Sequence, residues 1–68
     1  MENRNYLLNL SAEDAQALEV ALGVRLQELR VELSRTDNAS FEHALRQDLD
    51  RLEGIQQQLT FMLRESAA

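Results

Sequence analysis

The stretch Glu32–Leu45, ELSRTDNASFEHAL, holds the chain's only histidine and its densest cluster of Ser, Thr, Asp and Asn. It is either a chemical site or a turn, and the apolar pattern on its two sides decides between them. Before it, Ala15, Leu18, Leu22, Leu26, Leu29 and Leu33 recur in steps of three and four, which keeps them on one side of a helix. After it, Phe41, Leu45, Leu49, Leu52, Ile55, Leu59 and Met62 or Leu63 do the same. Paired as an antiparallel hairpin, Leu33 meets Phe41, Leu29 meets Leu45, Leu26 meets Leu49, Leu22 meets Leu52, Leu18 meets Ile55 and Ala15 meets Leu59. The residue numbers of each pair sum to about 74, so the register of the layers places the fold-back at Asp37.

Thr36, Asp37, Asn38 and Ser40 then read as turn and cap residues, whose short polar side chains bond nearby backbone groups. Asp37 or Asn38 caps the second helix, and Asn38 has the alternative of ending the first helix in a left-handed conformation. Ser11 caps the first helix, with Asp14 in the capping-box position, Leu10 outside it as a weak staple, and acidic Glu13 and Asp14 on the positive end of the helix dipole. No proline interrupts either helix. The expected fold is all-α: an extended N-terminal arm over residues 1–10 and an antiparallel two-helix hairpin over 11–65, with a helix over 11–35, a turn at about 36–39 and a helix over 39–65.

Catalysis needs a nucleophile, a base and an orienting group around a pocket, and a two-helix turn supplies no evident pocket. His43 lies off the line of Phe41 and Leu45, with Ser40 three residues before it and Gln47 four after, so neither Glu-x-x-His nor His-x-x-x-His spacing is present. There are no cysteines, which excludes disulfides and thiolate metal sites. The expectation is no enzyme, no cofactor and no metal. Gly23 and Gly54 fall mid-helix at nearly the same level of the hairpin, where close helix approach, a bend or plain drift account for them equally.

A chain of 68 residues is below the size at which one core comfortably offsets the entropy of ordering the backbone, and self-association is the ordinary supplement. Ala17, Val20, Val24 and Val31 form a second apolar line almost opposite the leucine stripe, which the hairpin partner cannot cover. In the N-terminal segment Tyr6, Leu7 and Leu8 are too apolar to be solvated at no cost; they either fold back on Phe61, Met62 and Leu63, pair with the same segment of another subunit, or dock a partner. The predicted interface residues are therefore Ala17, Val20, Val24, Val31, Tyr6, Leu7, Leu8, Phe61 and Met62, and the predicted assembly is a symmetric homodimer closing into a four-helix bundle.

The net charge of −5, with both signs mixed along the chain, argues against an affinity that comes from neutralising phosphate or anionic lipid. Arg25, Arg30, Arg35, Arg46, Arg51 and Arg64 are dispersed among acids, with local pairs expected between Glu42 and Arg46 and between Asp48 and Arg51, so no basic stripe appears. The start MENRNYLLNLSAED has no apolar run long enough for a signal peptide, and no stretch is long enough to span a membrane, which gives a cytoplasmic expectation.

From about Leu10 to Leu59 the chain resembles a family of short bacterial helical-hairpin proteins of uncharacterised function. The matching residues are Leu10-Ser11 before an acidic helix start, Glu32-Leu33, Thr36-Asp37, Phe41, Leu45, Leu52, Ile55 and Leu59. Members tend to carry a basic residue after the aromatic, where this chain has Glu42. The resemblance implies a hairpin fold and no known activity. The functional expectation is a small homo-oligomeric protein–protein interaction or regulatory module, and the alternative is a small nucleic-acid-binding regulator built as a hairpin dimer.

Overall fold

The computed structural model describes residues 4–66, and the first three residues of the arm expected over 1–10 lie outside that description. Two helices, α1 (Ala12–Arg35) and α2 (Ala39–Ser66), pack against one another, and residues 4–11 carry no regular secondary structure.

Both helix starts are set by local side-chain chemistry. Ser11 is extended, its Oγ accepts the Asp14 N–H at 3.0 Å, and its carbonyl accepts the Ala15 N–H at 2.9 Å, so it precedes the helix as its cap. The Asp14 carboxylate does not return the bond, so only half of the capping box forms. At the second start Asn38, not Asp37, does the work. Its Oδ1 accepts the Phe41 N–H at 3.0 Å and its carbonyl accepts the Glu42 N–H at 2.8 Å. The left-handed alternative for Asn38 is not adopted, since no non-glycine residue among those described has a positive φ. Helix α1 ends instead at an extended Thr36, whose Oγ1 accepts the Asn38 N–H at 3.4 Å, so the turn occupies Thr36–Asn38.

The core is one row of leucines from each helix. Ala15, Leu22, Leu26 and Leu29 of α1 and Leu45 and Leu59 of α2 are buried, with Leu26 and Leu29 each only 1% exposed. At the open end of the hairpin Ala15, Leu22 and Leu59 form a cluster against which Leu10, Leu18, Leu52 and Leu63 pack. That cluster holds both members of the expected pairs Ala15–Leu59 and Leu22–Leu52. Leu10 thereby ties the end of the arm to the far end of α2. Full burial of a leucine stabilises by about 1.5–3 kcal/mol, and buried leucines recur along α1 at Leu22, Leu26 and Leu29 and along α2 at Leu45 and Leu59.

Two expected pairings leave one member largely uncovered. Phe41 is 52% exposed and Ile55 40% exposed, while Leu33 and Leu18, set opposite them in the expected register, are only half-buried. Both outliers lie on the same edge of α2, about 60° around the helix from the leucines that face α1. The apolar stripe of α2 is wider than one neighbouring helix can cover.

Candidate interaction surfaces

The two edges of the hairpin differ in chemistry. Along one edge α1 and α2 are laced by polar side chains. The Thr60 hydroxyl donates to Glu19 Oε2 at 2.5 Å, Arg30 donates to Glu53 Oε2 at 2.9 Å, and Gln56 Nε2 lies 3.4 Å from where a Cβ on Gly23 would stand. These partners lie further along the chain than the leucine register requires. In an antiparallel pair every Cα–Cβ bond tilts toward its own helix N-terminus, so long side chains on facing helices lean toward one another along the axis. The other edge carries Phe41, Ala44, Ile55 and Met62 of α2 beside half-buried Leu18 of α1, and all four α2 residues are exposed.

The nine predicted interface residues do not form one surface. Ala17, Val20, Val24 and Val31 are exposed along the outer face of α1, the three valines between 38% and 67%. Phe61 lies on the outer face of α2 beside Gly54, where an open depression is also bounded by Gln57, Gln58 and Met62. Met62 faces the second apolar edge as well, and with Leu8, Leu10, Ala15 and Leu63 bounds a shallow groove between the arm and α2. Leu8 nevertheless stays exposed, as do Tyr6 and Leu7. Among the described residues of the arm only Leu10 packs against the core. Phe41 and Ile55, assigned to the core from the sequence, belong with the exposed residues. Phe41, Asp48, Ile55 and Met62 follow one another at seven-residue intervals, as do Leu45, Leu52 and Leu59, so the exposed and buried rows interleave along one helix.

His43, Ser40 and Asp37 are exposed and converge on no hollow. Among the described residues no group of three His, Asp or Glu side chains is placed to hold a metal ion. The depression between the arm and α2, the one beside Gly54 and a further one bounded by Arg25, Gln27, Glu28, Val31 and Glu32 are open to solvent, and the last is lined by mixed charges on α1 alone.

Three of the arginines weighed for phosphate contact already reach carboxylates: Arg25 with Glu28, Arg30 with Glu53 and Arg46 with Glu42. The expected pair between Asp48 and Arg51 does not form, and neither side chain has another partner among the described residues. A separation of three residues permits such a pair, as Arg25 and Glu28 show, and nothing in the structure explains why Asp48 and Arg51 stay apart. No helix among the described residues is long and apolar enough to cross a membrane. No family model, curated protein or solved structure matches this chain.

Proposed function

We propose that this chain is a small homo-oligomeric helical module for protein–protein interaction or regulation, without catalytic activity of its own. The observation that carries the reading is the shape. The chain is one layer of helices, 15 Å through its thinnest direction, with apolar side chains exposed on the outer face of α1, on one edge of α2 and on the arm. Its radius of gyration is 14.5 Å, where a compact domain of this length has about 11 Å. The leucine row between the helices is buried, but a single layer leaves these other apolar side chains uncovered, and a second layer is the ordinary way such surfaces are covered. Cytoplasmic placement and kinship with the bacterial hairpin family belong to the same proposal, resting on the residues quoted above.

The test is mass in solution by light scattering over a concentration series, with circular dichroism on the same samples. The reading expects a helical dimer whose melting temperature rises with concentration. A helical monomer whose melting is independent of concentration overturns it. The nucleic-acid alternative is checked in parallel with labelled RNA and DNA at low salt, where a steep fall of binding with added salt would favour it.

A further inference from the structure

We infer that a second copy of this chain docks on the apolar edge of α2 formed by Phe41, Ala44, Ile55 and Met62, with α2 antiparallel to its counterpart about a two-fold axis near Asp48 and Arg51. The inference rests on the self-association proposed above and goes beyond it by assigning the surface, which is not the valine line of α1.

Surface area identifies the occupant as a large one. The chain exposes 5943 Å², whereas a compact monomer of 7.8 kDa exposes about 4,400 Å². The excess is roughly 1,500 Å². Each partner in a standard protein–protein interface gives up about 800 Å². Part of this excess is the exposed arm, and the remainder, on the outer faces and edge of the hairpin, is more than a docked side chain would cover.

The heptad of α2 says where. Leu45, Leu52 and Leu59 face α1, while Phe41, Asp48, Ile55 and Met62 interleave with them in steps of three and four and face outward. Two interleaved rows sustained over three heptads are the pattern of a helix with a neighbour on each row. The opposite edge is closed by the Thr60–Glu19 and Arg30–Glu53 contacts, so this row is the edge of the hairpin that stays uncovered.

Charge and size select a second copy. Asp48 and Arg51 interrupt the apolar row, carry opposite charges and have no partner within the described chain. A two-fold axis midway between them sets each chain's Asp48 level with the other's Arg51, so that the unpaired charges satisfy one another. The same axis sets Ala44 level with Ile55 of the other copy, a small residue opposite a large one. It also sets Phe41 level with about residue 58, in the gap between Ile55 and Met62, as a knob enters a hole.

Because the sequence has no cysteine, disulfide trapping is clean. The double variant Ala44→Cys/Ile55→Cys should form an interchain disulfide on mild oxidation, while each single variant and Val24→Cys should not. Within one chain the two positions are about 16 Å apart along α2, out of reach of each other. Ile55→Arg should raise the dimer dissociation constant at least about tenfold, and Val24→Arg should leave it within about threefold. A monomeric wild-type chain would overturn the self-association reading and this assignment together. A wild-type dimer that Val24→Arg dissociates and Ile55→Arg does not, with no disulfide in the double variant, overturns the assignment alone. Should Ile55→Arg lose its helices, the disulfide still decides.

Discussion

Leu26→Ala is the sharpest test of the core. Leu26 is 1% exposed, near the middle of the row that joins α1 to α2. The substitution removes the equivalent of three buried methylenes, about 2.4 kcal/mol of transfer free energy at about 0.8 kcal/mol each. A residual cavity adds to this. The hairpin is a single layer, however, so its neighbours are free to close over the gap and the addition is small. The expected loss is about 2.5–3 kcal/mol, toward the low end for buried Leu→Ala changes. With a urea dependence of about 1 kcal/mol per molar, the midpoint moves down by about 2.5 M. The assay is urea unfolding followed by helical circular dichroism at one fixed chain concentration, since self-association links stability to concentration. Val24→Ala is the control: Val24 is 57% exposed, and alanine is the better helix former, so the midpoint should stay within about 0.5 M. A shift below about 1 M for Leu26→Ala, or an equal shift for the two variants, would refute the assignment of the leucine row as the core.

The caps predict a matched pair of effects. Ser11→Ala and Asn38→Ala should each cost about 1 kcal/mol in thermal or urea unfolding, while Asp37→Ala, whose side chain caps nothing, should be close to neutral. Gly54→Ala should stabilise by up to about 1 kcal/mol, because a Cβ there meets nothing within 4 Å; a fall in melting temperature would mean that another surface packs against Gly54. Gly23→Ala should act in the same direction, its Cβ meeting only the end of the flexible Gln56 side chain at 3.4 Å. Arg30→Ala should cost less than about 1 kcal/mol, and the difference should vanish at about 1 M salt, since the Arg30–Glu53 pair is 49% and 39% exposed.

The turn was legible in the sequence because its chemistry is local. Two apolar rows whose register converges on Asp37, with Ser11 and Asn38 bearing short polar side chains where backbone N–H groups need acceptors, leave little freedom in where the helices begin. The glycines were not legible, because a gap beside Gly54 or a flexible amide beside Gly23 depends on the crossing of two helices and on no local pattern. Phe41 and Ile55 went unrecognised as edge residues for a related reason. Helical periodicity says which residues share a side, and an α2 stripe this broad reads the same whether one neighbour or two will cover it. What separates the rows is the number of neighbours, a tertiary fact.

That number also orders the two apolar features left over. The edge row of α2 lies about 60° from its leucine row, within the roughly quarter-turn that separates two adjacent neighbours in a four-helix bundle, so both rows can enter one continuous core. The valine line of α1 lies about 180° from the leucines of its own helix, and no single bundle core reaches both sides of a helix at once. If the second copy sits on the α2 edge, Val20, Val24 and Val31 remain on the outside of the dimer. Valines lose side-chain rotamer freedom in a helix, a small disadvantage that solvent exposure does nothing to recover. With the dimer's claim on that face removed, a panel of Val20, Val24 and Val31 to Lys variants should keep the dimer mass unchanged. Loss of the dimer in that panel would put the valines back inside the self-association interface and count against the α2 edge.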